Sequence, residues 1–422
     1  LLPLCDKAKP VRILFLIDDY YPSTKSGAKM MHDLGEQFVR DGHQVIVVTP
    51  KDSVTGTFSV SVEDGITVVR VRNGRLKYTS RALRGIRELR LSAGIWRKTK
   101  TFLKENPCDV IVFYSPTIFL GDLVRKLKAL WRCPAYLVLR DIFPQWAVDA
   151  GIIRKGLLYR YLHHKELLQY DAANVIGLES PGNLPYFSEE LRDRDYRVEV
   201  LFNWMDTSQQ PAAGTKFRDQ LGLQEKVVFF YGGNIGVAQD LDNILRLAVG
   251  LRQQEQAFFL LVGSGSEVPR LEREIERQQL TNIKILPPLP QDRYLQCLSE
   301  FDVGLVSLDR RLQTHNLTGK LLGYMLCGKP VLASLNPGNG LAQLLHEADA
   351  GLACENGDDK GLRNAALLLA TNPDLRRRMG ANARSLGEGK FSVQAAAKQI
   401  MQHFLFKSIA SSDHPELKSN RA

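Results

Sequence analysis

Short, almost purely apolar runs alternate with longer amphipathic stretches along this chain, and that alternation limits the possible folds more than any other feature. VRILFLI (11–17), QVIVV (44–48), ITVVRV (66–71), DVIVFY (109–114), AYLVLR (135–140), NVIGL (174–178) and VEVLF (198–202) have the length and β-branched or aromatic content of buried strands. Helical stretches at 28–41, 81–105, 119–130 and 157–169 separate them. Strands apolar on both faces and joined by helices predict a parallel sheet covered on both sides. After a polar, small-residue segment at 203–214 the same grammar begins again. The strands there are KVVFFY (226–231), FFLLV (258–262), IKIL (283–286), VGLVS (303–307), PVLAS (330–334) and GLAC (351–354). Helices are expected near 240–254, 266–279, 290–299, 318–327, 340–347 and 373–386. The prediction is an α/β protein of two doubly wound, Rossmann-like domains, 1–203 and 204–390. A helix near 391–406 is expected to cross back to the first domain, ahead of a polar tail. A length of 422 residues suits two or three domains. Ligands of such sheets sit at the carboxyl ends of the strands, so two facing sheets would share a cleft.

Composition narrows the function classes. With 44% hydrophobic and 24% charged residues the chain is neither disordered nor collagenous. No run approaches the roughly 18 uninterrupted apolar residues of a spanning helix. The beginning, interrupted by Asp6, Lys7, Lys9 and Arg12, lacks a signal-peptide layout. Six scattered cysteines without CxxC spacing read as reduced cytosolic thiols, mostly core. The net charge is +10, of which +8 falls in residues 1–200. It concentrates at 70–104, where Arg70, Arg72, Arg75, Lys77, Arg81, Arg84, Arg87, Arg90, Arg97, Lys98, Lys100 and Lys104 face Glu88 alone. Leu83, Ile86, Leu89, Ile95 and Trp96 interleave with these cations, the pattern of a helix that can lie on anionic lipid. A solvated helix face is the bland alternative. Nucleic acid is not expected, because no recognised nucleic-acid module accompanies the charge.

Three strand-to-helix turns carry the candidate chemistry. In DDYYPSTKSGAKMM (18–31), Ser26 and Gly27 precede a helix whose free N–H groups could face a phosphate or an acceptor hydroxyl, although a plain capped loop would read the same way. In FFYGGNIGVAQDLDN (229–243), Gly232 and Gly233 end a strand, Gly236 permits a tight turn and a helix begins near Ala238. Backbone N–H groups there can approach an anion closely. The turn is not GxGxxG and lacks the acidic residue about 20 positions on, so a nicotinamide cofactor is excluded. VGSGSE (262–267), with Gly263 and Gly265, repeats the device. In RLQTHNLTGKLLGYMLCGKPV (311–331), Thr318 and Gly319 open a helix with Lys320 in its first turn. A cation is disfavoured there by the helix dipole, and a ligand phosphate would remove the penalty. The alternative is a solvated surface lysine.

These segments, with SPTIFLG (115–121), LRDIFPQWAVDAG (139–151), FNWMD (202–206) and EADAGL (347–352), resemble the retaining, nucleotide-sugar-dependent glycosyltransferases of family four. Within them the chain looks most like a bacterial surface-polysaccharide branch that includes N-acetyl-fucosamine transferases. The resemblance implies the GT-B architecture. It also implies a nucleotide-diphosphate donor, UDP-linked by expectation, held by Gly232, Gly233, Asn234, Gly236, Gln239, Gly263, Gly265, Thr318, Gly319 and Lys320. Leu286–Leu289, with Pro288, would lie beside the base. Ser26, Gly27 and Arg140 would face an acceptor, a polyprenyl-diphosphate-linked or otherwise lipid-linked saccharide at the inner face of a plasma membrane. Asn234 and Gln239 stand where many relatives carry Arg and Lys. Gly323 and His315 stand where they carry glutamates, and Ser115 where they carry histidine.

Retention without an evident carboxylate nucleophile fits a front-side route, in which positioning and charge stabilisation do most of the catalysis. Asp141 is the candidate base or acceptor-orienting group, with an Asx turn as its alternative reading. Asp18 and Asp19 precede the loop, so no metal site, no metal dependence and no permanent cofactor are expected. The rivals are a catalytically weakened sugar-nucleotide-binding or scaffold protein and a nucleotide-sugar 2-epimerase on the same fold.

Overall fold

The computed structural model describes residues 10–23, 25–73, 90–149, 152–207, 217–312 and 317–405. They form two units. One runs up to Glu179, takes in Asn183–Phe202 and resumes from Val393; the other comprises Ser180–Gly182 and Asn203–Ser392.

The first unit contains β1 (Arg12–Leu16), α1 (Ser26–Arg40), β2 (Gln44–Lys51), β3 (Phe58–Glu63), β4 (Ile66–Arg72), α2 (Leu91–Glu105) and β5 (Val110–Ser115). It continues with α3 (Gly121–Trp131), β6 (Ala135–Leu139), α4 (Gln145–Asp149), α5 (Leu157–Ala172), β7 (Val175–Leu178) and β8 (Val198–Val200). The strand order is β3-β4-β2-β1-β5-β6-β7-β8. Ile13, Leu14, Phe15 and Leu16 are fully buried, as a central parallel strand requires. The order reverses between β1 and β5, which opens a crevice at their carboxyl ends.

One strand departs from the all-parallel expectation. β3 pairs antiparallel with β4, and Glu63 lies opposite Ile66 across a two-residue turn. Asp64 and Gly65 both have positive φ, 51° and 79°, the backbone of the hairpin turn that matches strand twist. Helix α2 also corrects an expectation. Ile95 is buried and Trp96 packs against the core, so the apolar side of this half of the basic stretch faces protein rather than lipid. Arg75, Lys77, Arg81, Leu83, Arg84, Ile86, Arg87 and Leu89 lie outside the described residues.

The second unit runs through α6 (Phe217–Gln220), β9 (Val227–Asn234), α7 (Asp242–Gly250), β10 (Ala257–Ser264), α8 (Val268–Arg277), β11 (Ile283–Leu286) and α9 (Gln291–Ser299). It ends with β12 (Val303–Ser307), α10 (Lys320–Leu326), β13 (Val331–Leu335), α11 (Gly340–Glu347), β14 (Gly351–Glu355), α12 (Asp359–Thr371) and α13 (Pro373–Lys390). Its sheet, ordered β11-β10-β9-β12-β13-β14, is parallel throughout and reverses between β9 and β12. The helix expected near Ala238 is instead a single 3₁₀ turn, Val237–Gln239, and α7 begins at Asp242. Helix α12 was not anticipated. It starts where the Asp358 side chain accepts a hydrogen bond from the Gly361 N–H at 2.9 Å.

The last described helix, α14 (Val393–Leu405), belongs to the first unit and packs along α1. Its His403 Nε2 is 2.9 Å from Glu199 Oε2, while Tyr136 Oη donates to Glu199 Oε1 at 2.6 Å. Gln399 Nε2 donates to the Val200 carbonyl at 2.8 Å. Two polar contacts, from His403 and Gln399, therefore fasten this helix to the edge of the first sheet, with Tyr136 holding the Glu199 carboxylate from β6. Among the described residues no helix is long and apolar enough to cross a membrane.

Candidate functional site

The carboxyl ends of β9 and β10 floor a cavity of about 500 Å³, completed by Pro288, Leu289, Tyr294 and Lys320. Gly232 pairs with Val262 and Gly233 with Gly263, so both glycine turns sit side by side in one sheet. The glycines have distinct causes. Gly233 has φ +123°, a conformation that side chains resist. A Cβ on Gly263 would lie 1.8 Å from the Gly233 carbonyl oxygen, so the close approach of the strands requires its absence. Gly236 is extended rather than tightly turned, and a Cβ there would meet Asn234 Nδ2 at 2.8 Å.

Asn234 and Gln239 meet directly. Asn234 Nδ2 donates to Gln239 Oε1 at 2.8 Å, and the Gly236 N–H donates to the same oxygen at 3.2 Å. The pair ties the strand end to the 3₁₀ turn as a neutral link. Gly265 lies beyond the cavity wall, where a Cβ would meet the Ile235 carbonyl oxygen at 2.1 Å.

Lys320 is the only charged residue among the described residues lining this cavity. Its ammonium donates to Tyr231 Oη at 3.2 Å and lies 4.4 Å from the centroid of that ring. Tyr231 Oη in turn donates to the Asn234 carbonyl at 2.6 Å. Burial strips water from the ammonium and pushes its pKa down to about 8. Thr318 and Gly319, also expected at this site, precede Lys320 in sequence but are not among the residues lining the cavity: Thr318 Oγ1 is buried with no hydrogen-bond partner among the described residues, and Gly319 has open space where a Cβ would be. A desolvated cation without a carboxylate on the wall, at glycine strand ends of which Gly233 is exposed, is suited to an anion of phosphate type.

Sequence reasoning missed Tyr231 and Tyr294, because aromatics at such positions read as core. Tyr294 packs so tightly that a Cβ on Gly232 would lie 2.3 Å from its hydroxyl. The direction from Gly323 is also filled: a Cβ there would be 3.2 Å from Leu298 and 3.7 Å from Tyr294. His315 lies outside the described residues.

A second cavity, of about 800 Å³, opens in the first unit at the carboxyl ends of β1, β2, β4, β5 and β6. Asp141 stands on its wall, and desolvation raises its pKa above the usual carboxylate value. Asp18, Asp19, Asp52, Lys25, Lys51 and Arg70 also line it. Asp19 pairs with Lys25 at 2.9 Å. Arg70 is clamped by Glu63, whose carboxyl is held down at about 2 by that hydrogen bond, and also donates to the Tyr21 carbonyl at 2.9 Å.

The expected acceptor-side residues are not gathered on this wall. Ser26 begins α1 and is exposed, whereas Gly27 is buried, where a Cβ would lie 2.3 Å from Tyr114 Oη. Arg140 is buried and donates to the Leu201 carbonyl at 2.6 Å, supporting the strand ends from behind. Ser115, fully buried, leaves its Oγ unpartnered. Among the described residues one group could assemble metal ligands, His32, Glu36 and Asp64, with ligand atoms within 4.8 Å of one another. It lies where α1 meets the β3–β4 hairpin, and His32 Nδ1 is already 3.1 Å from Tyr20 Oη.

Two Rossmann-like units, the second with a phosphate-suited cavity at its switch point, define the GT-B glycosyltransferase fold. Residues 214–386 match the family described as Glycosyl transferases group 1. The chain is 26% identical over 230 residues to the probable glycosyltransferase WbjE of Pseudomonas aeruginosa, covering 54% of this chain and 57% of that protein. It is likewise 26% identical over 277 residues to the putative colanic acid biosynthesis glycosyl transferase WcaI of Escherichia coli, covering 62% of this chain and 67% of the relative. The match thus spans little more than half of WbjE's own length. Among solved structures, Anabaena Alr3699/HepE in complex with UDP superposes with a TM-score of 0.64 at 18% identity, covering 95% of this chain and all of the other.

Proposed function

We propose that the protein is a retaining glycosyltransferase. It moves a sugar, an N-acetylated hexosamine or its deoxy form, from a UDP donor to a lipid-linked saccharide in surface-polysaccharide or lipopolysaccharide synthesis, at the cytoplasmic face of a membrane. The observation that carries this reading is the seat of Lys320, a desolvated ammonium in a carboxylate-free cavity at paired glycine strand ends. The match of residues 214–386 to the group 1 glycosyl transferases and the similarity to WbjE and WcaI support it.

In this account the glycine strand ends admit the donor, Pro288 and Leu289 flank the base, and Lys320 receives the diphosphate. As the bond from the anomeric carbon to the diphosphate breaks, Lys320 stabilises the negative charge gathering on the leaving oxygen. The acceptor oxygen bonds to the anomeric carbon from the same face, and its proton passes to the departing diphosphate. Asp141 orients the acceptor hydroxyl. The mechanism calls for no metal. Transfer that is abolished by chelator and restored by magnesium would overturn that part.

The filled space at Gly323 favours one alternative, a weakened donor-binding protein, because no side chain from that position reaches a ribose. Incubation with UDP-sugars and a synthetic polyprenyl-diphosphate-linked sugar separates the two. A glycosylated lipid product with retained configuration supports the transferase; donor binding without transfer or hydrolysis supports the alternative.

A further inference from the structure

Helix α5 carries apolar residues on two faces, and only one of them is used by the core. Leu162 and Tyr170 are buried, whereas Leu157 and Leu158 are 84% and 61% exposed and Tyr161 is 42% exposed. Leu157 and Tyr161 are one turn apart, and Leu158 is three residues from Tyr161, so the three are neighbours on the helix surface. Just before the helix, Ile152 is 68% exposed. Its N–H donates to the Ala147 carbonyl at 2.8 Å, which ties it to α4. Tyr159 Oη donates to Gln145 Oε1 at 3.3 Å and binds the start of α5 to α4 as well. Helix α4 adds Trp146, 45% exposed and also on the wall of the 800 Å³ cavity.

The charged residues along this stretch of chain are cationic. Between Ile152 and Lys165 the chain has four cations, Arg154, Lys155, Arg160 and Lys165, and no acidic residue. Arg154, Lys155 and Arg160 are exposed, and Lys165 turns back to Asp122 at 2.9 Å. Lys155 lies over the Tyr159 ring, 5.9 Å from its centroid. Exposed leucines and isoleucine, an aromatic that is half in and half out, and exposed cations are the features of a surface that enters the headgroup layer of an anionic bilayer.

We propose that Ile152, Leu157, Leu158 and Tyr161, together with the exposed Arg154, Lys155 and Arg160 interspersed among them, form a docking surface for anionic lipid. Trp146 would mark its junction with the acceptor cavity. The surface would bring that cavity to the membrane, so that the saccharide of a lipid-linked acceptor enters while its hydrocarbon chain stays in the bilayer. The inference deepens the proposed acceptor class and rests on it. It does not depend on the basic residues at 74–89.

Flotation of the full chain with phosphatidylcholine–phosphatidylglycerol vesicles and with phosphatidylcholine alone tests it. The wild type is expected to bind only the anionic vesicles. L157Q/L158Q and R154E/K155E are each expected to lower that binding about tenfold or more, with thermal midpoint and UDP affinity unchanged. Wild-type protein that ignores anionic vesicles, or variants that bind like wild type, would overturn the proposal. A wild-type dimer that L157Q/L158Q dissociates without lipid would overturn it too, by showing that a second copy covers this face. UDP titration reports separately on the transferase reading, because the donor cavity is built from the other unit.

Discussion

The Lys320 ammonium sits 4.4 Å from the centre of the Tyr231 ring and donates to that ring's hydroxyl at 3.2 Å. The aromatic seat holds the cation at the strand-end glycines without neutralising it, so its charge is available to a ligand. Removing it with Lys320→Ala should weaken UDP binding by roughly 10- to 100-fold, the range of a charge-assisted hydrogen bond of about 1.5–3 kcal/mol. Calorimetric titration measures this, and unchanged affinity would remove Lys320 from the diphosphate site.

The same residue sets a pH dependence. Its pKa in the free protein is about 8 because burial disfavours the charged form, and a bound diphosphate would raise it. Binding should therefore take up a proton near and above pH 8. Affinity should be level below that pH and fall above it by up to about tenfold per unit, until the pKa of the complex is reached. Titrations in buffers of different ionisation enthalpy detect the proton uptake, and Lys320→Ala should abolish it.

Gly263 and Gly319 both belong to the expected donor site but should respond differently to alanine. At Gly263 the new Cβ would lie 1.8 Å from the Gly233 carbonyl oxygen, whereas at Gly319 it meets nothing within 4 Å. Gly263→Ala should cost about 1–3 kcal/mol or more of stability and reduce UDP affinity, because β9 and β10 must separate. Gly319→Ala should leave the thermal midpoint close to wild type. Calorimetric unfolding of the two variants checks the contrast.

Asp141 lies in the other cavity, with its pKa raised by desolvation. If it orients the acceptor, Asp141→Asn should lower transfer about a hundredfold or more while UDP affinity stays unchanged. The wild-type rate should fall on acidification through that raised pKa, as the carboxylate is protonated. A variant with full transfer activity would return Asp141 to a purely structural turn.

Much of the fold was legible because buried parallel strands must be apolar on both faces. β11 and β12 fall on the expected residues 283–286 and 303–307. β3 was not legible in that way: FSVSVE is a half-exposed edge strand whose serines read as loop, although Asp64-Gly65 was the available turn signal. Helix α12 was hidden because Gly361 and Asn364 interrupt its apolar pattern, and its start depends on the Asp358 cap. In the cavity of the second unit the glycines could be read from spacing, since the close approach of two strand ends allows no side chain. The seat of Lys320 could not, because Tyr231 and Lys320 are 89 residues apart and meet only through the sheet.

The most direct measurement of the central claim is a calorimetric titration of the full chain with UDP, GDP and their sugars, repeated with Lys320→Ala. The account predicts one site per chain that takes a uridine diphosphate, with affinity lost in the variant. Binding of none of these nucleotides, or equal binding by wild type and Lys320→Ala, would contradict it.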